Sequence, residues 1–281
     1  MILNTVLQSA RPTYDQELHL KGGHALWISD FEMPFHNAEF INQVFELAQH
    51  LKIKQAIWGG DAFHLEAFSP FKGKDSDAEA EIYQIDQYLP GFLEPFESIM
   101  MFVGNHDERL AARLNDMGVG ISSTTALRIL TAATQTEFKQ KVTISEYRFM
   151  RGGTDWLFEH PKNASAIPGK TAQQLSSKYH KNVLCGHTHN LGVTMFNDYW
   201  AVETGHCLDA DKLAYYKKIH TTRPKMAQGA CLLWWDTANQ TYIPISLTPQ
   251  TLRFQQSLVA SLNTNKSLSV RARPTRSRSK K

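Results

Sequence analysis

The sequence predicts an α/β fold whose first half alternates strands with helices and whose second half turns mostly to β-strands. Three observations carry this. Strand, loop, helix and second strand follow in βαβ order over residues 24–61. Short apolar runs end, one after another, in Asp, Asn or His. Alternating runs with turn signals then fill residues 191–247.

HALWISD (24–30) reads as a buried strand running into Asp30, after an N-terminal extension over residues 1–22. Asn37 to Leu51 reads as a helix with Phe40, Ile41, Val44, Phe45, Ala48 and Leu51 on its inner side. QAIWGGD (55–61) is the next strand, ending in Asp61. DSDAEAEIYQIDQYLPGF (75–92) opens with capping carboxylates and carries Ile82, Ile85 and Leu89 at helical spacing. SIMMFVGNHD (98–107) is a buried strand with a polar end, followed by the helical ERLAARLND. DWLFEHP (155–161) and NVLCGHTH (182–189) repeat the strand-then-polar pattern, with a helix around Thr171 to Tyr179 between them. LGVTMFNDYWAVETG and ACLLWWDTANQTYIPISL read as hairpins turning at Asn197-Asp198 and near Ala238-Asn239. Trp200, Trp234 and Trp235 in these hairpins read as core residues before base-stacking ones.

The 281 residues, 42% of them hydrophobic, suffice for a sizeable core, placed over residues 23–250. Cys185, Cys207 and Cys231 are widely spaced and form no CxxC pair, which points away from a disulfide framework or a cysteine zinc knuckle. The absence of a long apolar run or a basic leader leads us to expect a cytoplasmic protein, bacterial or in a phage-infected host, without membrane partners. Net charge is +3, of which Arg271, Arg273, Arg276, Arg278, Lys280 and Lys281 supply +6, leaving a net −3 on the rest of the chain. Residues 251–281, polar and then basic, are expected to be a disordered tail whose final run either solubilises the protein or binds phosphates.

Five strand ends deliver Asp30, Asp61, Asn105 with His106, His160, and His187 with His189. In an open α/β sheet such ends converge on one edge, so residues far apart in sequence share a crevice. A lone strand-end Asp is usually a turn residue. The ordered set of D-x-E at 30–32, GD at 60–61, GNHD at 104–107, His160 and GHTH at 186–189 points instead to a metal site.

At these residues the chain resembles the calcineurin-like metallophosphoesterase superfamily over roughly residues 24–206. The resemblance implies a sandwich of two mixed β-sheets flanked by helices, with a two-metal centre at the strand ends. It makes Asp61 the carboxylate shared by both metals, assigns Asp30 and His189 to the first, and Asn105, His160 and His187 to the second. His106 falls where the family places a histidine that assists the leaving group or stabilises transition-state charge. Two divalent ions about 3.5–4 Å apart would acidify a shared water and clamp the phosphoryl oxygens. Nitrogen and oxygen ligands without thiolate favour Mn²⁺, with Fe, Zn or Ni as alternatives.

The first motif departs from the family's D-x-H, since Glu32 stands at its third position and is expected to donate an oxygen in place of imidazole. His36 is a more distant substitute. The second motif, GDAFH, lacks the GDxVDRG of protein phosphatases and resembles the DNA-repair exonuclease branch, which implies that His64 contacts the scissile phosphate or leaving group. A dimetal nuclease acting on DNA is therefore expected. A small-molecule phosphomonoesterase or cyclic-nucleotide phosphodiesterase is the alternative, and a non-catalytic nucleic-acid-binding module a third reading. No long C-terminal ATPase-binding extension is evident, so an ATPase partner stays open, and the chain is nearer to the stand-alone phosphoesterases of bacteriophage and bacterial genomes.

Overall fold

In this computed structural model, residues 23–70, 76–131, 135–145, 149–152, 155–213 and 226–254 are described. The N-terminal extension, nearly all of the expected tail and its six basic residues lie outside them.

The first half builds a sheet from β1 (Ala25–Ile28), β2 (Gln55–Trp58), β3 (Ser98–Phe102) and β4 (Val142–Ser145), which pair in parallel in that order. Helix α1 (Ala38–His50) connects the first two strands, and α2 (Ala78–Leu93) the next two. Asn37 caps α1 by accepting from the Phe40 N–H at 3.0 Å, and Asp77 caps α2 through Glu79 and Ala80. Helices α3 (Arg109–Asp116), α4 (Ser123–Leu130) and α5 (Gln135–Lys141) lead into β4.

The second half forms another sheet. Strand β5 (Phe149–Gly152) pairs antiparallel to β6 (Trp156–Glu159), which lies parallel to β7 (Asn182–Cys185). Helix α6 (Lys170–Tyr179) makes the crossover between β6 and β7. The hairpin of β8 (Leu191–Phe196) and β9 (Tyr199–Thr204) adds to β7 through β9. Its turn residues Asn197 and Asp198 both take the left-handed conformation, as a two-residue loop matched to strand twist requires. The last hairpin, β10 (Ala230–Asp236) and β11 (Thr241–Leu247), returns to the first sheet beside β1. The sheet orders are β11-β10-β1-β2-β3-β4 and β5-β6-β7-β9-β8, both mixed, as the resemblance implied.

Alternation along the strands explains the layers. Ala25, Trp27, Ile57, Phe102, Trp156, Phe158, Leu184, Val202 and Leu233 meet between the sheets. Leu26, Ile28, Ala56, Trp58, Ile99 and Met101 point the other way, against the helices of the first half. Leu157, Val183, Cys185 and Ala201 pack against Ala172 of α6. Strands covered on both faces read as unbroken apolar runs, which is why ALWI and NVLC show no polar alternation. Trp200 and Trp235 pack against the inter-sheet core, and Trp234 stacks on His24 with ring centroids 3.6 Å apart. Among the described residues no helix is long and apolar enough to cross a membrane.

Candidate metal centre

The carboxyl ends of β1, β2 and β3 in one sheet and of β6 and β7 in the other open onto the same edge. The loops leaving β1 and β2 run side by side: Asp30 N–H donates to Gly60 O at 3.0 Å, Glu32 N–H to Asp61 O at 3.0 Å, and Met33 N–H to Ala62 O at 2.8 Å. Asp30, Glu32, Asp61, His187 and His189 all adopt positive φ, between 43° and 70°. That conformation costs a non-glycine residue roughly 1–2 kcal/mol. Its clustering at these positions, held by the surrounding hydrogen bonds, is the signature of strain retained for a function.

One group of donors gathers around Asp61. Its Oδ2 lies 3.3 Å from His160 Nε2, which lies 3.3 Å from Asn105 Oδ1. His160 Nδ1 donates to Gly59 O at 2.9 Å, which directs Nε2 inward, as the outer partner of a metal-bound histidine does. The His187 ring stands 5.0 Å from that of His160, and Asp61, His160 and His187 each place one ligand atom within 4.8 Å of the others. Burial works against the Asp61 anion, but the neighbouring His160 and His106 hold its carboxyl well below the ordinary range. Gly60 takes φ +96°, and any Cβ there would enter the His160 ring.

A second group gathers around His189. Its Nε2 is 3.2 Å from Asp30 Oδ1 and 3.5 Å from Glu32 Oε1. Both carboxylates are fully buried, and Glu32 Oε1 has no hydrogen-bond partner. Burial raises the pKa of Glu32, yet His106, His64 and His189 bring it down to about 2. A carboxylate oxygen buried without a hydrogen bond among imidazoles and carboxylates is costly unless a cation meets it. The donor set of both groups therefore fits divalent ions held by oxygen and nitrogen.

Beside these groups His106 faces a cavity of about 770 Å³ lined by Asp61, Asn105, Arg109, Lys162, His187 and Met226, among others. Arg109 is always a donor, so its Nη2, 3.1 Å from His106 Nε2, leaves that nitrogen the acceptor and places the imidazole proton on Nδ1. Nδ1 lies 3.4 Å from Glu32 Oε2. Arg109 Nη1 donates to His64 O at 2.6 Å.

The structure brings together all seven sequence-expected metal residues and His106, and His64 lies beside them: Glu32, His64 and His106 each place one ligand atom within 4.8 Å of the others. The His64 side chain is 2% exposed and does not line the cavity. Its Nδ1 lies 2.5 Å from Glu32 Oε2 and its Nε2 3.2 Å from Glu66 Oε2, so both ring nitrogens face carboxylates. His36 is no substitute ligand: it packs edge-on against Tyr88 and Phe92.

Several supports were not legible in the motifs. Asp107 accepts from the backbone N–H of Gly104, Phe63 and Ala62 at 2.8, 3.0 and 3.4 Å. Glu203 on β9 accepts from Thr171 N–H and Ala172 N–H at the start of α6 and from Thr188 Oγ1, pinning the loop between His187 and His189. Met226 Sδ lies 3.2 Å from His189 Nδ1. Asp107 and Arg109 sit within or beside a quoted motif; Glu203 carries no local signal at all.

No protein-family model and no curated protein matches the chain. Among solved structures it is similar to an archaeal phosphodiesterase at 14% identity and TM-score 0.41, covering 80% of this chain and 99% of that one. It is also similar to vacuolar protein sorting 29 from Cryptosporidium parvum, at 14% identity and TM-score 0.41, covering 81% and 98%. A conserved predicted phosphoesterase from Streptococcus pneumoniae TIGR4 follows at 10% identity and TM-score 0.32, covering 80% and 97%. These likenesses are remote. The functional reading rests on the residues that the strand ends bring together.

Proposed function

We propose that the protein is a metal-dependent phosphoesterase that hydrolyses phosphodiester bonds, with DNA as the favoured substrate. The observation that carries this is the convergence of Asp30, Glu32, Asp61, Asn105, His160, His187 and His189 at one edge, with the Glu32 Oε1 oxygen buried and without a hydrogen bond.

Asp30, Glu32 and His189 would hold one divalent ion and Asn105, His160 and His187 another, with Asp61 shared; the oxygen-rich set favours Mn²⁺. Such ions supply an acidified water and neutralise phosphoryl charge. The protein's own groups do the rest. Asn105, being neutral, leaves charge for the substrate phosphate to balance. Arg109 holds His106 through Nε2, and both residues line the cavity, where the guanidinium could donate to a phosphoryl oxygen. His106 lines the same cavity, where the resemblance implies help to the leaving group or stabilisation of transition-state charge. Lys162, exposed at the cavity rim, adds positive charge beside the acidic floor. The Arg271, Arg273, Arg276, Arg278, Lys280 and Lys281 run would add sequence-independent phosphate contacts to a nucleic-acid partner.

The test compares Mn²⁺-dependent hydrolysis of end-labelled single- and double-stranded DNA with that of p-nitrophenyl phosphate. DNA cleavage that disappears in Asp61→Asn is the expected result, and its product ladder gives exo or endo action. Turnover of the monoester alone would replace the nuclease reading with that of a small-molecule phosphatase.

A further inference from the structure

Glu32 stands where the resemblance places an imidazole, and His64 lies against it in the core. Glu32 is 0% exposed and His64 2%. The carboxylate can only accept, so at 2.5 Å the His64 Nδ1–H donates to Oε2. The same Oε2 lies 3.4 Å from His106 Nδ1. The His64 ring is itself fixed, with Nε2 at 3.2 Å from Glu66 Oε2 and Phe35 edge-on at 4.8 Å. One carboxylate oxygen is thus tied on its protein side, while Oε1 points at the Asp30–His189 pair without a hydrogen bond of its own.

We propose that Glu32 and His64 act as one unit in place of the motif's histidine: His64 is a positioning residue that turns Glu32 Oε1 to the first metal position as a single-oxygen ligand. This rests on the metal-centre reading above. A glutamate side chain has three rotatable bonds, and without the His64 donor it would be free to chelate through both oxygens or to turn away. Tied, it presents one oxygen beside Asp30, Asp61 and His189. Three oxygens and one nitrogen make a harder site than the imidazole-richer arrangement, and they shift preference from Zn²⁺ toward Mn²⁺ and Mg²⁺. His64 acts on metal binding and has no contact with the substrate.

The experiment measures Mn²⁺ and Zn²⁺ dissociation constants by competition with a chromophoric chelator, on the full chain, with circular dichroism to verify folding. His64→Leu removes the donor, whereas His64→Asn places an amide N–H near the position of Nδ1. Loss of an outer-sphere partner typically weakens a metal site by about 10–100-fold. We expect His64→Leu to weaken Mn²⁺ about tenfold or more, and His64→Asn to restore most of that loss. Glu32→His, which leaves His64 untouched, is expected to raise the Zn²⁺-to-Mn²⁺ affinity ratio. Wild-type Mn²⁺ affinity in folded His64→Leu, equal weakening by Leu and Asn, or an unchanged ratio in Glu32→His would overturn the unit while leaving the metal centre standing. Failure of the wild-type chain to bind any divalent ion would overturn the centre and the unit together.

Discussion

Asp61 and Asp107 clasp two loops reciprocally. Asp61, after β2, accepts from the His106 N–H of the β3 loop at 2.7 Å, while Asp107, after β3, accepts from the Phe63 and Ala62 N–H groups of the β2 loop at 3.0 and 3.4 Å. The two carboxylates differ in consequence. Asp61 retains Oδ2 for the site, toward His160. Asp107 is wholly buried beneath it, and burial together with the Asp61 charge pushes its pKa up to about 7.

Asp107→Ala therefore leaves the Gly104, Phe63 and Ala62 N–H groups without their acceptor. Each buried, unpaired donor costs about 1–3 kcal/mol, with water entering the gap offsetting part of it. We expect a loss of about 3 kcal/mol in urea unfolding, together with a fall in metal content as Asp61 loosens. Unchanged stability would show that the clasp is dispensable.

Gly104→Ala tests the same clasp sterically. A Cβ at this position would collide with the Asp61 carboxylate and its backbone nitrogen, both of which are fixed. Overpacking of this kind costs about 1–3 kcal/mol, and displacement of a reacting group by about 1 Å can cost on the order of 100-fold in rate. Hydrolysis of bis-p-nitrophenyl phosphate is expected to fall by about that factor, a loss that wild-type kcat/KM in the variant would contradict.

The strand ends were legible because buried strands are short apolar runs and the residue that follows each one is polar. Asp30, Asp61, Asn105, His160, His187 and His189 could all be placed on one edge by that logic. The surroundings of His64 could not be read the same way. Its spacing from Asp61 is local, but its partners Glu32 and Glu66 are settled by the side-by-side run of two loops, which no periodicity encodes. Glu203 was invisible for a related reason: it reads as one polar residue in a β-strand, and only the tertiary fold brings Thr171 of α6 and Thr188 of the loop after β7 to it. Helices α4 and α5 and strands β4 and β5 also lay outside the sequence reading, in a stretch whose apolar spacing is interrupted by polar residues.

Arg109→Gln separates substrate binding from metal binding. Arg109 contacts His106 and the His64 carbonyl but none of the metal-directed atoms. A charge-assisted contact is worth about 1.5–3 kcal/mol, so kcat/KM for a phosphodiester is expected to drop about tenfold or more while metal content holds. Loss of metal in parallel with activity would assign Arg109 a structural role instead.

Deletion of residues 271–281 removes six positive charges and no acid. If these neutralise phosphates, the dependence of DNA affinity on salt becomes shallower, by up to about 0.7–0.9 in log–log slope for each phosphate left unneutralised. Hydrolysis of bis-p-nitrophenyl phosphate is expected to be untouched. An unaltered salt slope would make the run a solubilising tail.

The most direct test of the central claim is a Mn²⁺ titration of the metal-stripped protein, reading bis-p-nitrophenyl phosphate hydrolysis in the wild type and in Asp61→Asn. The two-metal centre predicts activity that saturates near two bound ions per chain and disappears in the variant. Absence of hydrolysis at any Mn²⁺ concentration, or equal activity in Asp61→Asn, would contradict it.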